Sequence, residues 1–351
     1  MPDKDDSGFN FFIHLTTQVM KKSVFIGIDV SKSSLDVVVF LPVSPEKFVH
    51  KKLANSPSGF RKLMRWITTD HDLETCLFCL EDTGNYSVGI AYFLADHQAH
   101  VCVESAYRIK HSMGIQRGKS DPADAQMIAR YAYRFADQLR LFSSPSDSVA
   151  QLKALMSFRV RLIKQKTRLA VAIAETKSLQ DVVDISFMIS SMDKQLKIIN
   201  EHVKQCDLKI EQLIQQDQQL HHQAQLLLSI PGIGKVIAAQ VLASTQGFTK
   251  FDNWRKFACY IGTAPFPHQS GTSIRGRTKV SSFANKRLKA LLNMGAVNTL
   301  KNDNEYHRFY DRKVKEGKHH MVVINSIRNK LISRMFAVIR RDSPYVYLQV
   351  D

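Results

Sequence analysis

The sequence predicts an α/β unit built on a mixed sheet, followed by a mainly helical half that opens on long paired helices. Three observations predict it. Apolar runs of strand length at Val24–Val30 and Thr75–Leu80 alternate with helical patterns, the composition turns to Ser, Pro and Asp over residues 143–148, and a glycine-free stretch carrying a heptad seam follows.

The elements justify themselves in order. Val24-Phe25-Ile26-Gly27-Ile28-Asp29-Val30 reads as a buried strand with an acid near its end, and Leu35–Val43 as a second β-rich run. A short strand near Lys51–Ala54 precedes a helix over Pro57–Ile67, entered through Ser56 as N-cap with Pro57 at the first helical position. A strand at Thr75–Leu80 stops at Glu81, a helix covers Val88–Asp96, a strand covers His100–Glu104, and a helix starts at Asp121. Two or three adjacent strands followed by strand–helix alternation indicate a mixed sheet rather than an all-parallel one. Residues 21–143 make up this unit. Residues 1–20 are expected to be an extension from an upstream start codon, since the compact fold starts near Lys21, and the acids Asp3, Asp5 and Asp6 before Phe9–Met20 are the wrong charge for an export signal.

In residues 149–223, Met192, Leu196, Ile199, Val203, Cys206, Ile210 and Leu213 recur at alternating steps of four and three. Leu155, Leu162 and Leu169 fall seven apart on an earlier helix. An intramolecular antiparallel hairpin and an intermolecular coiled coil satisfy this pattern equally. Residues 224–345 form a C-terminal unit in which Ile230-Pro231-Gly232-Ile233-Gly234-Lys235 joins two helices. Its Gly-x-Gly turn at a helix start is either a phosphate site of the helix-hairpin-helix kind or a tight turn whose glycines serve only as caps. Farther on, Arg275, Arg277, Lys279, Lys286, Arg287 and Lys289 accumulate without an acid among them, which suits neutralising phosphates.

Charge narrows the function. The 351 residues carry 49 Lys plus Arg against 32 Asp plus Glu, a formal charge of +17. A pI near 9.6 with a mean hydropathy of −0.20 points to an anionic partner, nucleic acid first. No apolar run reaches the roughly 18–20 residues that a bilayer requires. Five cysteines form an odd, sparse set suited to a reducing cytoplasm. Cys76-x-x-Cys79 lies in an apolar run with no second pair to complete a zinc site, so burial is its simpler reading. The adjacent pairs His221-His222 and His319-His320 lack the spacing of helical metal ligands.

Asp29, Glu81, Asp121 and Asp124 stand where an α/β sheet displays acids. Carboxylates gathered at strand ends can hold two Mg²⁺ about 4 Å apart, suited to phosphodiester chemistry. Each also has a plainer explanation. Asp121-Pro122-Ala123-Asp124 is what helix capping selects, with Asp121 as N-cap and Asp124 near the positive dipole end. Asp29 could simply end a strand, and Glu81 competes with Asp82 and Glu104.

Gly27-Ile28-Asp29-Val30-Ser31-Lys32, Leu80-Glu81-Asp82-Thr83-Gly84-Asn85-Tyr86 and Lys119-Ser120-Asp121-Pro122-Ala123-Asp124-Ala125 resemble, in order, the three signatures of the DEDD insertion-sequence transposases of the 110 family, a group that includes the Piv pilin-gene invertase. The C-terminal half agrees in Ile230–Gly234, Tyr260–Pro265, Gln269-Ser270-Gly271, Arg275-Gly276 and Asn285, so the resemblance spans roughly Ser23–Arg340. It implies an RNase H-like, RuvC-like N-terminal domain in which Asp29, Glu81, Asp121 and Asp124 bind Mg²⁺. It further implies a coiled-coil region and a C-terminal domain whose Ser270 forms a covalent link to cleaved DNA. Family members assemble as dimers or tetramers, and several are guided by a bridge RNA. From the residues alone, Ser270 is a Ser-Gly turn and Ser273 is as plausible a nucleophile.

The expected function is a DNA transposase or site-specific recombinase. A DNA invertase or structure-specific nuclease of the same fold is the nearest alternative. A non-catalytic nucleic-acid scaffold comes next, and last an actin-like ATPase, for which Gly27–Lys32 resembles a first phosphate hairpin but no second glycine-rich loop follows.

Overall fold

The computed structural model describes residues 22–112, 120–270, 274–282 and 284–346, with the side chains of 267–270, 274, 275 and 277 set aside. Phe9–Met20 therefore lies outside the described residues. The chain divides into two compact units, Met1–Ser144 and Pro145–Asp351.

The first unit contains β1 (Val24–Val30), β2 (Ser34–Phe40), β3 (Phe48–Ala54), α1 (Pro57–Asp70), β4 (Cys76–Glu81), α2 (Asn85–Asp96), β5 (Val101–Glu104), α3 (Ala106–Ser112) and α4 (Asp121–Arg134). The strands form one sheet in the order β3-β2-β1-β4-β5. β2 runs antiparallel to β1 and β3, while β1, β4 and β5 are mutually parallel. The mixed sheet read from the sequence is thus present. Central β1 is covered on both faces, which is why it reads as an almost unbroken apolar run. Ile26 and Ile28 pack with Phe60, Leu63 and Ile67 of α1 and Ile90 and Leu94 of α2. Phe25, on the opposite face, packs with Leu77, Cys79, Cys102 and the α4 residues Ala125, Ile128 and Ala129. β3 is the edge strand and carries exposed Lys51 and Lys52, charges that discourage pairing with another chain.

Two local details differ from expectation. The N-cap of α4 is Ser120, whose hydroxyl accepts from the Ala123 amide at 3.4 Å. Asp121 is therefore the first helical residue rather than the cap, because the serine one step earlier has the extended backbone that a cap needs. Helix α3, dominated by Tyr, Arg, Lys and His, has too little apolar periodicity to be read beforehand.

The second unit contains α5 (Asp147–Lys177), α6 (Ser186–Gln216), α7 (Gln218–Leu228), α8 (Lys235–Thr245), α9 (Trp254–Ile261), β6 (Pro265–Ser270), β7 (Ile274–Val280), α10 (Lys286–Asn298), α11 (Glu305–Lys315) and α12 (His320–Arg341). α5 and α6 pack against each other within the chain. The Cys206 thiol donates to the Leu155 carbonyl at 3.6 Å, and Arg159 donates twice to Asp207, Nε to Oδ1 at 2.5 Å and Nη2 to Oδ2 at 3.2 Å. Of the heptad seam, Cys206, Ile210 and Leu213 are buried. Their core is continuous with Leu152 and Met156 of α5, Leu242 of α8, Leu292 of α10 and Leu331 of α12. β6 and β7 form an antiparallel hairpin with Gln269 opposite Arg275 and Ser270 opposite Ile274. That hairpin is a strand pair the mainly helical expectation did not include: Pro265 and Pro267 in one arm and three basic residues in the other mask the strand signal. No helix among the described residues is long and apolar enough to cross a membrane.

Candidate active site at the strand ends of the first unit

Strand register assembles the acids. Ile28 pairs with Leu80 in the parallel β1–β4 ladder, so the next residues, Asp29 and Glu81, lie side by side. Glu81 in turn pairs with Glu104 of β5, and Asp29 with Asp36 of β2. Alternation decides the face. Asp29 follows Gly27 by two residues and shares its side of the sheet, and a β-carbon on Gly27 would meet the Ala125 carbonyl oxygen of α4 at 2.1 Å and the Ala129 amide nitrogen at 2.4 Å. The acids at the strand ends therefore face α4, whose first turn supplies Asp121 and Asp124.

Electrostatics confirm that these groups sense one another. The Asp29 carboxyl is raised from an ordinary 3.8 to about 6, first by burial and then by Asp124, Glu81, Asp121 and Asp36. Every neighbour that raises it is negative, so ionising Asp29 adds like charge to a cluster in which Lys52 reaches only Asp36 and Asp121. Glu104 differs, because Arg108 holds it at 3.1 Å and the Tyr131 hydroxyl donates to it at 3.5 Å. Burial raises its pKa, and Arg108 opposes the rise. Asp82 accepts from the Gly84 amide at 3.0 Å in the turn before α2. Both rivals to Glu81 thus have local structural partners.

Asp36 went unnoticed in the sequence. It is 3% exposed, with His50 Nε2 at 2.9 Å and Lys52 Nζ at 3.3 Å. Lys52 also reaches Asp121 at 3.5 Å. An acid between Leu35 and Val37 in a strand was the available signal; its two partners sit on β3, and only the β2–β3 register brings them opposite.

No group of three or more His, Cys, Asp or Glu among the described residues is gathered tightly enough to hold a metal ion. In kind, the donors nevertheless fit a hard divalent cation: they are carboxylate oxygens, and a cation would relieve the repulsion that raises Asp29. Cys76 and Cys79 offer no such site. Three apart on a strand, they enter opposite cores, both buried.

In the second unit the basic candidates separate. Gly232 has φ +82°, and a β-carbon there would meet the Gly295 carbonyl oxygen and the Thr299 methyl, both at 2.5 Å, so this glycine permits close packing on α10. Gly234 caps α8 with open space around its α-carbon. Lys235 is paired with both carboxylate oxygens of Glu211 at 3.0 Å. Arg287 donates to the Met156 carbonyl at 3.0 Å, tying α10 to α5. Lys279 and Lys286 are exposed, and Lys289 is half-buried. Arg275 and Arg277 lie in β7 and Ser270 ends β6, with side chains outside the described set. Gly271 and Ser273 lie outside the described residues altogether.

Comparisons with known proteins follow this division. The family model described as a transposase, of the DEDD type found in IS110 elements, matches residues 26–177. A second, described as the transposase IS116/IS110/IS902 family, matches residues 224–311. The pilin gene-inverting protein of Moraxella bovis is 30% identical over 92% of this chain and 97% of its own length. That of Moraxella lacunata is 29% identical over the same shares, and an uncharacterized 42 kDa protein of insertion element IS900 from Mycobacterium paratuberculosis is 21% identical over 93% and 98%. Among solved structures, T. thermophilus RuvC in complex with a Holliday junction substrate aligns with 34% of this chain and 99% of its own, at 12% identity and a TM-score of 0.26.

Proposed function

This chain belongs to the IS110 family of DEDD transposases, and on that premise we propose that it cuts and rejoins DNA with the acids of the first unit and a serine of the second. The observation that carries this reading is the convergence of Asp29, Glu81, Asp121 and Asp124 at the strand ends, where burial first and then the neighbouring acids raise the Asp29 carboxyl, an arrangement that stability alone would not favour.

Asp29, Glu81, Asp121 and Asp124 would hold Mg²⁺. Bound there, it would supply activation of the attacking oxygen and stabilisation of the leaving one. Asp36 and Lys52 would hold the edge of the set in place, since Lys52 joins buried Asp36 to exposed Asp121. The nucleophile is the Ser270 hydroxyl. Its oxygen forms a bond to phosphorus as one phosphodiester P–O bond breaks; the serine proton leaves to a base, and the departing sugar oxygen takes up a proton. The phosphodiester energy is kept in the serine ester, so strands can be rejoined without ATP. A bridge RNA would supply sequence specificity by base pairing, and a dimer or tetramer would bring the DNA ends together. The two relatives named as pilin gene-inverting proteins favour inversion as a second outcome of the same chemistry.

The test is recombination by purified protein given element ends, guide RNA and Mg²⁺. Asp29→Ala should keep nucleic-acid binding while losing cleavage, and Ser270→Ala should lose any covalent protein–DNA adduct. Full strand exchange by Ser270→Ala would end the serine assignment, and full cleavage by Asp29→Ala the carboxylate assignment.

A further inference from the structure

Arg328 of α12 is the one lysine or arginine among the described residues that is buried, at 6% exposure. Its Nε is buried with no hydrogen-bond partner. The buried arginines of a folded chain are normally paired, and two partly buried guanidinium groups here are: Arg159 is held by Asp207 and Arg334 by Glu305. Arg328 has no carboxylate partner among the described residues. Burial alone lowers its pKa, with no acid opposing the shift.

A second cation stands beside it. Lys289 of α10 is half-buried, and its pKa is lowered by burial and then by the charge of Arg328. α10 and α12 pack against each other, so both side chains are held by rigid helices rather than by loops. One turn before Lys289, Lys286 is exposed on the same helix. Two like charges, with no acid among the described residues to neutralise them, are unfavourable together. An anion from outside would relieve them. A guanidinium fork suits two oxygens of a tetrahedral anion, and a nearby ammonium adds a point charge.

We propose that Arg328 and Lys289 form a binding site for a phosphate of the nucleic-acid backbone, distinct from the acid cluster of the first unit. The choice of a nucleic-acid phosphate rests on the recombinase reading; the preference for an anion rests on the unpartnered Arg328 Nε itself. Such a site positions the strand without reading bases.

The experiment measures binding of the full-length protein to a labelled DNA duplex and to a labelled structured RNA across a salt series, together with thermal unfolding. Arg328→Met should weaken binding ~10-fold and lower the magnitude of the log–log salt slope by about 1. The thermal midpoint should hold or rise, since an unpaired buried charge is removed. Lys289→Met, at a less buried position, should lower the slope by about the same amount. Arg328→Lys should keep the slope and lose affinity, because the charge stays and the fork goes. A loss confined to one probe identifies DNA or RNA as the source of the phosphate. Unchanged affinity and slope for both probes in Arg328→Met, or in Lys289→Met if the first variant does not fold, would overturn the site while wild-type salt-dependent binding left the recombinase reading standing. Wild-type protein that binds neither probe would overturn both.

Discussion

Gly27 of β1 lies so close to Ala125 of α4 that a β-carbon added to the glycine would stand 2.1 Å from the alanine carbonyl oxygen. This contact sets the distance between the sheet and the helix that carries Asp121 and Asp124, and so links core packing to the candidate active site. Gly27→Ala should push α4 away from β1. We expect a loss of about 1–3 kcal/mol from overpacking, read as a lower thermal midpoint, and a fall in cleavage larger than that instability explains. A variant as stable and active as the wild type would show that the helix position is not fixed by this contact.

Asp29 makes stability and activity oppose each other. Its carboxyl is raised from 3.8 to about 6, chiefly by burial and then by the neighbouring acids. Below about pH 4 it is protonated in both folded and unfolded chains, so it exerts no penalty. Between about pH 4 and 6 the unfolded chain ionises first and the fold loses stability; above about pH 6 the whole penalty is present. Asp29→Asn should therefore match the wild type near pH 4, gain on it progressively to about pH 6, and keep a constant advantage beyond. Thermal midpoints across this range check it.

The same shift predicts the pH profile of cleavage. At limiting Mg²⁺ the rate should rise through about pH 6 as Asp29 ionises. Higher Mg²⁺ should move the rise to lower pH, because proton and metal compete for the carboxylate. A profile insensitive to metal concentration would argue against Asp29 as a ligand.

Glu104 and Glu81 are neighbours in register but should respond differently to mutation. Glu104 is engaged by Arg108 and Tyr131, so Glu104→Gln should retain most cleavage activity. Glu81→Gln should abolish it. Equal losses in a cleavage assay would place Glu104 in the metal-binding set as well.

In the second unit, Asp207 compensates Arg159, and the Arg287 pKa is lowered first by burial and then by the charge of Arg159. Asp207→Asn should leave two arginines facing each other between α5, α6 and α10. A loss of ~1–3 kcal/mol is expected, and it should shrink on adding salt. Unfolding midpoints at low and high ionic strength would show it.

Features that repeat over a few residues are legible along the chain. The apolar run Val24–Ile28, the Ser56-Pro57 helix start and the Met192–Leu213 seam each act over a few residues, through strand alternation, capping or helix period, and the structure contains all three elements. The positions of Asp29, Glu81, Asp121 and Asp124 at element ends were legible for the same reason. Only the tertiary structure decided which charges meet. Asp36 joins His50 and Lys52 through the β2–β3 register, Lys235 meets Glu211, Arg287 reaches the Met156 carbonyl 131 residues away, and the buried Arg328 Nε has no hydrogen-bond partner among the described residues. Pairings of that kind depend on strand register and helix packing between distant segments, and no spacing along one chain encodes the few ångströms over which charges and hydrogen bonds act.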